Sequence, residues 1–127
     1  MNLVDTSIWI DHLRAGDDTL TALLDAGRVL THPFVIGELA LGNLRQREVV
    51  LEALRNLPRA DVATDGEVLH FIDRHALFGH GVGYVDIHLL AAARLTAGGR
   101  LWTRDKRLHD LAAKLDLAPA WSIGGAS

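Results

Sequence analysis

Four carboxylic acids stand at positions that ask for a reason. Asp5 interrupts MNLVDTSIWIDHL directly after the apolar run Asn2-Leu3-Val4. Glu38, in VIGELALGNLR, has Phe34, Val35, Leu41 and Gly42 as its helical neighbours, so its carboxylate falls within an apolar face. Asp86, in GHGVGYVDIHLLAAARL, precedes an apolar helix, and Asp105, in LWTRDKRL, follows a short apolar run and opens another helical segment. Taken singly, Asp5, Asp86 and Asp105 have an ordinary explanation as helix N-caps. Glu38 has none, because an unpaired buried charge is costly; it stands either at the mouth of a site or beside an arginine.

Brought to ~4 Å at an effective dielectric near ~20, each pair of carboxylates repels by about 4 kcal/mol, so a cluster of four calls for cations. The chain has no cysteine, which removes disulfides, thiolate zinc sites and a cysteine nucleophile. Oxygen donors select Mg²⁺ or Mn²⁺. An ion held by carboxylates bridges to phosphate and activates a water for in-line attack, so the pattern points to hydrolysis of RNA or DNA. The seven histidines (12, 32, 70, 75, 80, 88 and 109) contain no HExxH pair, which argues against a zinc hydrolase. Gly79-His-Gly-Val-Gly83 lacks the Gly-Lys-Ser/Thr ending of a phosphate loop and reads as a loop presenting Asp86.

The elements that must position these groups alternate between short apolar runs and helical segments. Leu3 to Asp5, Arg28 to Thr31, Asp61 to Ala63 and Arg100 to Thr103 read as strands. Asp17 and Asp18 cap a helix through Asp25, and Pro33 suits the first position of a helix over Phe34 to Arg45. Further helices are expected over Gln46 to Leu57, Asp65 to Phe78 (with Val68, Leu69, Ile72 and Leu77 as its apolar stripe), Val85 to Ala97 and Asp105 to Leu115. This alternation predicts an α/β sandwich around a mostly parallel sheet, with function at the carboxyl ends of the strands. Three of the four acids would then meet at one sheet edge, within reach of Glu38.

The 127 residues suffice for one domain, read as 1–127 with the tail 123–127 frayed. With no spanning apolar run and no signal-like start, the chain is expected to be cytoplasmic with no membrane association. The net charge of -3 gives no general attraction to nucleic acid, although eleven of the thirteen basic residues are arginine. Arg45, Arg47, Arg55 and Arg59 could line an RNA path or simply form a solvated helix face. Trp9, Trp102 and Trp121 are expected in the core or an interface.

In order along Leu3 to Leu108, the blocks VDTSxWID, VIGELALGNLR, GxxxDxxLLAAA and LWTRDKRL resemble the PIN domain, and within it the VapC type of toxin ribonuclease. The resemblance implies a PIN-like three-layer α/β/α sandwich with a mostly parallel central sheet. It also implies a Mg²⁺-dependent endoribonuclease, with Mn²⁺ able to substitute, acting as the toxin of a toxin-antitoxin pair. Such a toxin is usually a homodimer bound by a VapB-like antitoxin. Asp5, Glu38, Asp86 and Asp105 match the family's acidic quartet. Asp5 and Asp86 match the positions most directly tied to metal, with Glu38 and Asp105 acting directly or through water, and Thr6 and Thr103 match supporting hydroxyls. His88 is more polar than the apolar residue expected two places after the third Asp; it either faces substrate or lies in the core or at the surface.

Three alternatives compete. A DNA flap nuclease would need further carboxylates and long insertions, and a phosphoacceptor receiver would need an acidic pair after its first strand, where this chain has Val4-Asp5-Thr6. An inactive RNA-binding module conflicts with an intact quartet.

Overall fold

A computed structural model describes residues 1–122, so the expectation of a frayed tail at 123–127 lies outside the described residues. The strands are short: β1 (Asn2–Val4), β2 (Val29–Leu30) and β3 (Arg100–Trp102). They form a parallel sheet in the order β2-β1-β3, with Leu3 paired to Leu30 on one side and to Leu101 on the other. Among the described residues, seven α-helices complete an α/β/α sandwich: α1 (Thr6–Ala15), α2 (Asp18–Asp25), α3 (Pro33–Leu41), α4 (Arg47–Arg55), α5 (Asp65–His75), α6 (Tyr84–Leu95) and α7 (Lys106–Lys114). Parallel strands buried on both faces need apolar side chains throughout, and Leu3, Val4, Val29, Leu30, Leu101 and Trp102 are all buried. Helix α6 packs on β1 and β3, and its centre, from Ile87 to Ala93, is buried on every side.

The fourth expected strand, Asp61 to Ala63, does not form. Contact with β2 is confined to one parallel bridge between Thr31 and Arg59, in which Thr31 donates to the Pro58 carbonyl and Ala60 to that of Thr31. Asp61 N–H instead donates to the Thr96 hydroxyl at 2.8 Å, which draws the chain away from the sheet after a single pairing.

Helix α3 stops at Leu41 rather than Arg45. Gly42 is extended, Gln46 takes a left-handed φ of 50° to open α4, and the Arg47 guanidinium donates to the exposed Ala40 carbonyl at the end of α3. Helix α5 ends three residues early, at His75, where Ala76 turns left-handed. Its buried face carries Val68 and Phe71, while Leu69, expected inward, is exposed. No sequence boundary was drawn for α1, whose buried Ile8 and Trp9 read equally well as a resumed apolar run. Among the described residues no helix is long and apolar enough to cross a membrane.

Candidate active site

The register of the sheet builds the site. Because Val4 pairs with Trp102, the residues that follow, Asp5 and Thr103, emerge side by side, and Asp5 N–H donates to the Trp102 carbonyl at 2.9 Å. Asp5 is 6% exposed, and three donors hold its carboxylate. Oδ1 accepts from Thr6 N–H at 2.8 Å, while Oδ2 accepts from the Ser7 and Thr103 hydroxyls, each at 2.8 Å. Asp5 is thus the N-cap of α1 and the buried anchor of the site. Thr103 Oγ1 also accepts from Asp105 N–H at 3.0 Å, and Asp105 Oδ1 caps α7 by accepting from Leu108 N–H.

Glu38 projects from α3 into solvent, so it is not a buried charge, and its partner is a hydroxyl rather than an arginine: Thr6 Oγ1 donates to Oε1 at 2.7 Å. The apolar neighbours that made it look buried are themselves partly open, Phe34 being 37% and Leu41 90% exposed. Asp86 is not the cap of α6. That position belongs to Gly83, and Asp86 lies in the first turn. Among the described residues no hydrogen bond reaches the Asp86 carboxylate, and its pKa is pushed up to about 6. Burial is the largest cause, followed by the negative charges of Asp5, Asp105 and Glu38. The four acids named from the sequence therefore share one field at the carboxyl end of β1 and β3.

Their spacing is loose: among the described residues no three His, Asp or Glu side chains close into a ready-made cage for an ion. Mg²⁺ keeps several waters and takes only one or two carboxylates, so its binding does not require an enclosed protein cage. The donor set is all oxygen, and among the described residues the Asp86 oxygens meet no donor, so the residues present suit a hard divalent cation.

Ser7 was missed from the sequence. Its hydroxyl donates to Asp5 and accepts from Arg104 N–H at 3.1 Å, tying α1 to the turn after β3; the only signal was its place in VDTS. Arg104 was missed too, and it bridges Asp11 at 2.8 Å and Asp17 at 2.9 Å. Arg45, Arg47, Arg55 and Arg59 are exposed, and Arg47 is engaged with Ala40 and Glu48. Gly81 has a φ of 72°, and a Cβ there would run into the Arg107 guanidinium, which lies across the loop leading to Asp86. Trp9 and Trp102 are buried, whereas Trp121 is half-exposed and packs edge-on against Trp102.

Two carboxylates beyond the carboxyl ends of parallel strands, Asp5 and Asp105, joined by two from the helices α3 and α6, Glu38 and Asp86, form an arrangement suited to holding a divalent cation against a phosphodiester. Consistent with this, residues 3–114 match the PIN domain family. Two curated relatives named Ribonuclease VapC32, from Mycobacterium tuberculosis strains CDC 1551 / Oshkosh and ATCC 25618 / H37Rv, are each 51% identical over 123 residues, covering 97% of this chain and 99% of the relative. The chain belongs to the PIN-domain family and, within it, to the VapC-type ribonucleases.

Proposed function

We propose that this chain is a single-domain, cytoplasmic endoribonuclease toxin that hydrolyses RNA phosphodiester bonds at Asp5, Glu38, Asp86 and Asp105 with a bound Mg²⁺ or Mn²⁺. The observation that carries the reading is Asp86, a half-buried carboxylate with no donor among the described residues, whose charge is opposed by three other acids. A group so placed gains most from a cation. Asp5 and Asp86 would hold the ion, with Glu38 and Asp105 reaching it directly or through water. When bound, the cation supplies charge against the phosphate and lowers the pKa of a water.

The rest is the work of the chain itself. Thr103, Ser7 and the Thr6 amide fix the Asp5 carboxylate in one orientation, with Oδ2 occupied by the two hydroxyls and Oδ1 keeping a further lone pair. Thr6 holds Glu38 beside it, and Thr103 couples Asp5 to the turn that carries Asp105. Purified protein is expected to cleave RNA with Mg²⁺, to stop in EDTA, and to lose orders of magnitude in rate in folded Asp5→Asn. A fully active Asp5→Asn protein would remove the metal-nuclease reading.

As to partners, we infer a homodimer silenced by a VapB-like antitoxin. A groove of 700 Å³ beside Glu38, lined by Ile10, Leu13, Leu39, Leu44 and Val50, suits the apolar side of an antitoxin tail. The adjoining carboxylates suit an arginine or lysine from the same tail, which would compete with the cation.

A further inference from the structure

Two partly exposed aromatic rings, on the two helices that carry Glu38 and Asp86, are each fixed by contacts that the acidic quartet does not explain. Phe34 lies one turn before Glu38 on α3, and the two share a helix face. Tyr84 opens α6 two residues before Asp86 and is 47% exposed. Both rings pack edge-to-face on the same imidazole, that of His88, with centroids 5.0 Å from Phe34 and 4.7 Å from Tyr84. His88 itself is buried, so it is neither a substrate contact nor a surface group; it is the common backing of the two rings.

The backing is itself held. Tyr84 Oη donates to Asp65 Oδ1 at 3.3 Å, and His88 Nε2 lies 3.3 Å from the same oxygen but out of line for a hydrogen bond. On the other side, Phe34 packs edge-on against the buried His32 at 5.1 Å, and His32 Nδ1 accepts from Phe34 N–H at 3.0 Å. Two rings belonging to different helices are thus braced from behind with their outer surfaces open. An acidic site offers an RNA strand no electrostatic attraction of its own beyond that of its cation. Aromatic surface supplies a neutral attraction, and a base can stack on it only when it is unpaired.

We propose that Phe34 and Tyr84 form a stacking platform for an RNA base next to the cleaved phosphate, with His88 as the positioning residue behind them. The proposal rests on the ribonuclease reading and adds the residues that hold a base beside the cut. A platform of this kind tolerates any base, so it leaves sequence choice to other contacts.

The test compares wild type with Tyr84→Leu, Phe34→Leu and Tyr84→Phe on a single-stranded RNA and on the same RNA with one abasic position beside the cleaved bond. Leucine keeps apolar volume and removes the ring, and melting curves establish that each variant is folded. Each leucine variant should lower kcat/KM on the intact strand roughly 5- to 100-fold, the range of one lost base stack, while Tyr84→Phe retains activity. On the abasic strand wild type should fall by a similar factor, and the leucine variants should fall little further. Binding is read separately, without cleavage, from the quenching of 2-aminopurine placed at that position.

Ring-dependent quenching in a protein that cleaves nothing would sink the nuclease reading while sustaining the platform. Equal intact-to-abasic ratios in wild type and both leucine variants would overturn the platform with the nuclease intact. Unchanged RNA handling combined with lost antitoxin binding would also overturn it, by assigning the two rings to a protein contact.

Discussion

Replacing Asp86 with asparagine should stabilise the metal-free protein while abolishing cleavage. The carboxyl is raised from an ordinary 3.8 to about 6 by burial and by Asp5, Asp105 and Glu38. A gap of about two pH units corresponds to roughly 3 kcal/mol if unscreened, and partial exposure to water reduces this to about 1–2 kcal/mol. The sign follows from proton counts. Between 3.8 and about 6 the folded chain binds more protons than the unfolded one, so stability rises as pH falls through about 6. The penalty is complete above that window and absent below it. In EDTA at about pH 7.5, Asp86→Asn should therefore melt roughly 4–8 °C above the parent, and the difference should close near pH 4. Mg²⁺ should raise the parent's melting temperature at neutral pH and have much less effect on the variant. An Asp86→Asn protein that melts at or below the parent in EDTA at neutral pH would show that the four charges do not converge as described.

Thr103→Val removes a donor to Asp5 and an acceptor for Asp105 N–H; it should cost about 1–2 kcal/mol in denaturant unfolding and about tenfold in cleavage, with Thr103→Ser near wild type. His32 is lowered from 6.5 to about 4, first by burial and then by His88 and Arg59, so the folded state binds fewer protons and its contribution is lost as pH falls from about 6.5 towards 4. His32→Asn should flatten that loss in pH-dependent unfolding; because the Asp86 effect runs the opposite way over part of this range, the two variants separate what wild type shows only as a sum. An Arg→Ala change in the antitoxin tail should leave binding to the toxin in place and weaken inhibition, read from parallel titrations of binding and RNA cleavage.

Asp5 and Asp105 were legible because each is a helix cap following a strand, and strand ends gather such positions at one edge of a parallel sheet; Asp86 was reached by the same argument although Gly83 caps α6 and no strand precedes it. Glu38 was found by a half-correct argument: its helical neighbours are apolar, but Leu41 and Phe34 face water, so the face is a site mouth rather than core. Periodicity cannot tell these two apart, since it reports the side of a helix and not what covers it. Nor could it find the end of β-pairing after Thr31, which is decided by a long-range bond from Asp61 to Thr96. The bracing of Phe34 and Tyr84 by His88 joins helices, α3 and α6, that are far apart in sequence, and no local pattern encodes it. Ser7 and Arg104 were missed for the same reason, because their partners lie at opposite ends of the sequence.

Two of the acids are also the caps that start helices, Asp5 for α1 and Asp105 for α7. Asparagine caps a helix about as well as aspartate, and the codons of the two differ by one base. Loss of the chemistry is therefore a single short mutational step that leaves the helices, the sheet and the outer surface in place. Under the toxin reading, such an inert copy would still occupy antitoxin. It would act in the cell as a decoy, releasing active copies from restraint while doing no damage itself, so inheritance of a dead allele beside a live one would raise toxicity rather than dilute it.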